Sequence, residues 1–323
     1  MKAAIQNEYA SPVTLRFNVD DPLPVGDNEV LIAVRAAGVD AGVWHTTAGK
    51  PYLLRLFLGF TGPKQPIAGR DVAGQVAQVG KAVTRFDVGD EVFGTTFEGS
   101  FAEFTKVGED RLAHKPSNIS FEQAAAVPIS GCAALHGLKD AGGLRAGEKV
   151  LVLGAGGGVG SFAVQIAVAL GATVTGVCST SKVDFVRSLG ADRVIDYTRE
   201  DFTDGTEAWD VILDTAGHNS LSRLRRVLRR GGTLVIVGGE GGGLLLGGFG
   251  RALLAPVVSV FTSQSMKGLV SDEDQPTLEV LREMLEAGSI TPVIDRTFPL
   301  ADAAKAFAYV HTGKARGKVV VTV

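Results

Sequence analysis

Lys149-Val-Leu-Val-Leu-Gly-Ala-Gly-Gly-Gly-Val-Gly160, followed by Ser161-Phe-Ala-Val-Gln-Ile-Ala-Val-Ala-Leu-Gly171, decides the fold. The first five residues are an apolar run of buried-strand type, the glycines form a turn, and the next eleven carry helical apolar periodicity. A second apolar run over residues 173–178 follows at once. Strand, glycine turn, helix and strand in that order form the first βαβ unit of a dinucleotide-binding fold. A pyrophosphate must approach the backbone at a helix N-terminus, where free N–H groups and the positive end of the helix dipole meet it. Side chains at Gly157 or Gly160 would block that approach or lift the helix off the sheet. Gly157, Gly158, Val159 and Gly160 are therefore the expected pyrophosphate turn. Ala155 stands where the strict G-x-G-x-x-G pattern has its first glycine, with Gly154 just before it.

The end of the second strand speaks to the choice of cofactor. NADH-selective chains place Asp or Glu there to bond the ribose 2′-hydroxyl. This chain has Cys178-Ser-Thr-Ser-Lys182, with hydroxyls and an ammonium suited to a phosphate. NADPH is the expected cofactor, with Ser179 and Lys182 at its 2′-phosphate. Asp184, one helical turn on, is the counter-argument.

The chain has 323 residues, enough for two domains, and 45% hydrophobic residues. Its net charge of −3 offers no basic field for nucleic acid. Two cysteines, Cys132 and Cys178, allow no disulfide framework, and no signal-peptide pattern opens the sequence. A cytoplasmic enzyme is expected. Residues 243–261 are almost wholly apolar but contain Arg251 and Pro256, so a buried helix and loop lining an apolar pocket or a subunit interface is expected rather than an integral membrane segment. Residues 53–60 form a second apolar patch, broken by Arg55.

Residues 1–125 read as β-rich, with alternating runs at Val30-Leu-Ile-Ala-Val and Asp71-Val-Ala-Gly-Gln-Val. Residues 126–265 alternate strands, with cores at 150–153, 173–177, 193–195, 211–213 and 233–237, and helices that include 181–189 and 221–230. That alternation implies a doubly wound parallel sheet. Thr215 and Gly238 follow two of these strands, at the sheet edge where a dinucleotide lies. Helices are expected at 275–287 and 301–311, and a last strand at 317–323 that returns to the first domain.

Several stretches together resemble the medium-chain dehydrogenase/reductase superfamily, and most of all its zinc-free quinone oxidoreductase (zeta-crystallin-like) branch. They are Ala37-Gly-Val-Asp40, Ile67-Ala-Gly-Arg-Asp-Val-Ala-Gly74, Gly89-Asp-Glu-Val-Phe-Gly94, Ala126-Val-Pro-Ile-Ser-Gly131, the glycine turn, Leu189-Gly-Ala-Asp-Arg-Val-Ile-Asp-Tyr197 and Gly313-Lys-Ala-Arg-Gly-Lys-Val-Val320. The resemblance implies an α/β chain: a GroES-like β-rich partial barrel from 1–125 and 266–323, a Rossmann domain at 126–265, and a homodimer. It implies Tyr197 at the adenine end, Lys318 near the cofactor, with a simple strand charge as the alternative, and Asp40 at the nicotinamide ribose, with a plain turn role as the alternative. It also implies Tyr52 as general acid.

Zinc members of the superfamily carry Cys where this chain has Asp40, and His-Glu where it has Arg70-Asp71. His45 with Asp40 is too few ligands for a catalytic zinc site. Without a Lewis acid an isolated ketone is a poor hydride acceptor, whereas a quinone or enone spreads the developing charge. The expected activity is zinc-independent, NADPH-dependent reduction of a hydrophobic quinone or α,β-unsaturated carbonyl. The alternatives are a zinc-free alcohol or ketone dehydrogenase and a non-catalytic NADPH-binding regulator.

Overall fold

The structure, a computed structural model, describes residues 1–9, 16–19 (backbone only), 24–238, 243 and 245–323. Leu244, within the apolar run discussed above, lies outside them. The chain divides into two compact units, Met1–Cys132 with Glu273–Val323, and Ala133–Asp272. Each division lies seven residues beyond the sequence expectation (132 against 125, 272 against 265). The reason is visible at the first boundary. The Ile129 amide donates to Asp71 (2.9 Å) and the Ser130 hydroxyl accepts from Lys318 (3.0 Å), so the start of this helical stretch is bonded to the first unit.

The first unit is built on a seven-stranded sheet. Its path runs Ile294–Pro299, Lys318–Thr322, Glu29–Val39, Asp71–Val79, Glu91–Thr95 and Leu112–His114, with Phe104–Gly108 also paired to Glu29–Val39. The long strand Glu29–Val39 is the hub, because its alternating Val30, Ile32 and Val34 fill the core with Val72, Val76, Val92 and Leu112. The last strand pairs antiparallel with it, Val319 opposite Val39. The chain's tail therefore completes the N-terminal unit, as the sequence pattern predicts.

Asp71, Lys318 and Ser130 form a buried polar cluster in this unit. Lys318 is 2% exposed, and its ammonium donates to Asp71 (3.1 Å) and Ser130 (3.0 Å). Lys318, expected near the cofactor, is here the internal counter-ion to a fully buried carboxylate. Burial pushes the Asp71 carboxyl up to about 6, against the pull of Lys318 and with help from the nearby Asp40.

The second unit is a six-stranded sheet, all parallel, in the order Arg193–Asp196, Thr173–Cys178, Lys149–Leu153, Trp209–Asp214, Leu228–Ile236, Ser265–Gly268. That is the doubly wound order with the glycine-turn strand at the reversal point. Leu153 is level with Val177 on one side and Asp214 on the other, and Asp214 with Ile236. The residues that follow each strand thus emerge along one edge.

Two expectations fail in this unit. The helix expected over 221–230 stops at Arg226, and Leu228–Ile236 is strand. The arginines that suggested a basic helix end are divided: Arg223 pairs with Asp201 (2.9 Å) and Arg229 with Asp210 (2.7 Å). The apolar stretch near 250 forms the helix Phe249–Val260, but only Ala255 in it is buried. Ala252, Ala255 and Val258 face the sheet, while Leu253 (63%), Val257 (55%) and Val260 (79%) point outward. No helix among the described residues is long and apolar enough to cross a membrane.

Replacing Lys318 by Met leaves Asp71 buried without its counter-ion and is expected to cost about 3 kcal/mol at neutral pH. The folded state holds the Asp71 proton to higher pH than the unfolded chain does. Its contribution to stability is therefore greatest in acid and falls as pH rises from the ordinary carboxylate range to about 6. The gap between wild type and Lys318→Met should accordingly narrow below about pH 6, as read by chemical unfolding at several pH values.

Candidate functional site

In the second unit, the turn that follows Lys149–Leu153 is shaped by its glycines. Gly154 adopts φ +78°, the left-handed conformation that favours glycine. Ala155 in the place of the pattern's first glycine is thereby explained: the unusual backbone belongs to Gly154, and Ala155 is buried against Gly176 and Gly160. Gly157 caps the helix Gly158–Ala169 in extended conformation. A Cβ on Gly160 would lie 2.2 Å from the Gly154 carbonyl oxygen, so only glycine lets the helix seat on the strand end. A Cβ on Gly157 would meet only that oxygen, at 3.3 Å. The first-turn N–H groups of Gly158, Val159 and Gly160 have no intrahelical acceptor, and the helix dipole places its positive end there.

Three further strand ends converge on this turn. The Thr215 hydroxyl donates to the Leu153 carbonyl (2.6 Å), and a Cβ on Gly154 would meet that same hydroxyl. A Cβ on Gly238 would lie 2.2 Å from the Thr215 carbonyl oxygen. Asp214, which sequence reasoning did not single out, organises the next turn. One of its carboxylate oxygens accepts from the Ala216 and Gly217 amides, and the other from Arg251 (2.7 Å). The one charge inside the apolar run 243–261 was the available signal for that pair.

At the end of Thr173–Cys178, the Lys182 stem lies over the glycine turn: a Cβ on Gly156 would be 2.7 Å from Lys182 Cδ. Ser179 begins the same short turn, and its carbonyl accepts from the Lys182 amide (2.9 Å). Thr180 is committed elsewhere, donating to Asp196 (2.6 Å). Asp184 is paired with Arg187 (2.8 Å) at the surface. Tyr197 is exposed, and its amide bonds the Cys178 carbonyl (3.1 Å), level with Ser179. The Cys178 thiol is pushed up to about 11 by burial and by Asp196, and stays protonated at neutral pH.

In the first unit, Asp40 caps the helix Ala41–Ala48, its Oδ1 accepting from the Val43 amide (3.0 Å). The turn role is real, yet Oδ2 is buried and accepts no hydrogen bond from a described residue. An unmatched carboxylate oxygen of this kind suits a ligand hydroxyl. Tyr52 opens a short 3-10 turn, Tyr52–Leu54, and is 43% exposed. His45 points its Nδ1 at the Lys50 carbonyl oxygen (2.9 Å). Among the described residues no three His, Cys, Asp or Glu side chains are gathered as a metal ion would require.

A family model described as alcohol dehydrogenase GroES-like domain matches residues 26–169, and one described as zinc-binding dehydrogenase matches residues 189–321. The "2-methylene-furan-3-one reductase" of Solanum lycopersicum is 34% identical over 99% of this chain and 79% of its own length. The chain belongs to the medium-chain dehydrogenase/reductase superfamily, in its quinone oxidoreductase-like branch. Another member, the "NADPH-dependent alkenal/one oxidoreductase, chloroplastic" of Arabidopsis thaliana, is also 34% identical, over 99% of this chain and 79% of its own. Among solved members, the quinone oxidoreductase from Coxiella burnetii superposes with a TM-score of 0.87 at 28% identity, covering 100% of this chain and 99% of that one. The superfamily's α/β architecture, a GroES-like domain and a Rossmann-like parallel sheet, is the one described above.

The two glycines separate folding from binding. Gly160→Ala should unfold at clearly lower temperature, since the strand end must move. Gly157→Ala should keep its melting temperature within a few degrees yet weaken nucleotide binding, as read by thermal shift and quenching of protein fluorescence.

Proposed function

We propose that this protein is an NADPH-dependent oxidoreductase that reduces quinones or α,β-unsaturated carbonyl compounds without a metal ion. The observation that carries the cofactor reading is Lys182 laid over the glycine turn with Ser179 beside it, while Asp184 is turned to Arg187. The names of the tomato and Arabidopsis relatives support the acceptor class.

The residues present fit the nucleotide. Gly157, Gly158, Val159 and Gly160 would hold its pyrophosphate, and Ser179 and Lys182 its 2′-phosphate. Tyr197 would flank the adenine, Thr215 and Gly238 would line the strand-end shelf, and Asp40 Oδ2 would accept a ribose hydroxyl. When bound, NADPH supplies a hydride. The chain's own task is to orient the acceptor, keep water away and provide a proton.

Tyr52 is the proton donor in this reading. Its hydroxyl makes no hydrogen bond to a described residue, and its exposure lets water return the proton afterwards. The neighbouring Leu56 and Phe60 are also exposed and offer an apolar lip for a greasy acceptor. Conjugation in the acceptor replaces the Lewis acid, because the positions that hold zinc ligands in other members are otherwise engaged here. Asp71 is bonded to Lys318 and the Ile129 amide, and Arg70 to Glu273 (2.7 Å).

The same reading makes the enzyme a homodimer. The helix Phe249–Val260 is apolar except for Arg251, which is bonded to Asp214, and Ser259, which is bonded to the Met266 carbonyl, and its outward stripe of Leu253, Val257 and Val260 lies beside Ser265–Gly268, the last strand of its sheet. A helix of that kind is normally covered.

Turnover of NADPH with a phenanthrenequinone and a simple enone, and little with a saturated ketone, is the expected pattern. Strong ketone turnover favours the alcohol dehydrogenase reading, and tight NADPH binding with no turnover favours a regulator. Lys182→Ala should raise the KM for NADPH roughly tenfold and leave that for NADH nearly unchanged. In sedimentation, Leu253→Glu combined with Val257→Glu should convert a dimer to a monomer that still binds NADPH.

A further inference from the structure

Between the helix Ala41–Ala48 and residue 60, the chain is organised around one side chain, Arg55. Its guanidinium carbon lies 4.6 Å from the centroid of the Tyr9 ring and 4.9 Å from that of Tyr52. Its Nε donates to the Gly49 carbonyl oxygen (3.0 Å), which fixes the plane of the fork. Tyr9 is pinned in turn. Its hydroxyl donates to the Gly59 carbonyl oxygen (2.8 Å), and its ring covers Gly49, where a Cβ would lie 2.5 Å from Tyr9 Cγ. The Gly59 amide donates to the Arg55 carbonyl (3.0 Å), and the Arg55 amide bonds back to the Tyr52 carbonyl. Tyr9, Gly49, Arg55 and Gly59 thus form a closed set of contacts, and Tyr52 is the one ring of the stack with its hydroxyl unengaged.

We propose that Arg55 is a positioning residue for Tyr52: the stack holds the phenol in one place, so that its proton is delivered to an acceptor rather than carried on a freely rotating side chain. This rests on Tyr52 being the proton donor. Planar guanidinium stacks well on aromatic rings and donates in a fixed fork, which an ammonium cannot reproduce. A donor out of place by about an ångström loses on the order of a hundredfold in rate, so the residue that fixes its place is visible in kcat.

The test is a double-mutant cycle on enone reduction, with kcat and the KM for NADPH measured separately. Tyr52→Phe should lower kcat by roughly a hundredfold. Arg55→Met should lower it by roughly tenfold, leave the KM for NADPH unchanged, and have no further effect in the Tyr52→Phe background. Arg55→Lys should recover only part of the loss. If Arg55→Met does not fold, Tyr9→Leu removes the far side of the stack while leaving the bond to Gly49, and the same non-additivity with Tyr52→Phe is expected. Equal losses in both backgrounds, or wild-type kcat in Arg55→Met while Tyr52→Phe is slow, overturns the positioning role. Wild-type kcat in Tyr52→Phe overturns the donor assignment instead, and the positioning role with it.

Discussion

Gly160 sits where no side chain can. With a Cβ it would collide with the Gly154 carbonyl oxygen at 2.2 Å, and with Ala155 just behind it. That missing carbon brings the helix Gly158–Ala169 down onto the end of Lys149–Leu153, with its unsatisfied first-turn N–H groups at the sheet's edge. The register of the neighbouring strands then sets the rest of the shelf. Leu153 is level with Val177 and Asp214, and Asp214 with Ile236. Ser179, Thr215 and Gly238 are ordinary residues in sequence. They become parts of one surface because each follows a strand that ends at the same level.

The same edge explains which parts of the site were legible beforehand. A glycine turn between two apolar runs is a local pattern, so the turn and the flanking strands could be read directly. Partnerships between distant residues could not. Lys318 looks like a strand charge near the tail, and only the pairing of the last strand with Glu29–Val39 puts it beside Asp71, 247 positions away. Asp214 and Arg251 are another such pair. The early end of the helix at Arg226 was hidden because Leu228-Arg-Arg continues a helix-like alternation, while Thr233 to Ile236 commits the segment to the sheet. The helix Phe249–Val260 misled in the opposite sense. Its mostly apolar composition suggests burial, and a single chain covers only the side formed by Ala252, Ala255 and Val258.

Several charged groups of the first unit are engaged inside it. Asp71 is held by Lys318 and the Ile129 amide, Arg70 by Glu273, and Arg55 by carbonyl and aromatic partners. In a sequence comparison Asp40, Arg70 and Asp71 mark the places of metal ligands in other members of the superfamily. In the fold two of the three are tied into ion pairs, and the third keeps one carboxylate oxygen unmatched. In the proposed function, that redistribution leaves a polar scaffold for a nucleotide and a phenol, and suits acceptors that delocalise charge by themselves.

The most direct measurement follows the transferred hydrogen. NADPH deuterated at the transferable C4 position would be oxidised with an enone in ordinary water, and the product examined by NMR. Deuterium at the β-carbon of a saturated ketone, with solvent hydrogen at the α-carbon, is the predicted result. Deuterium on a carbinol carbon, with the carbon–carbon double bond intact, would contradict the account.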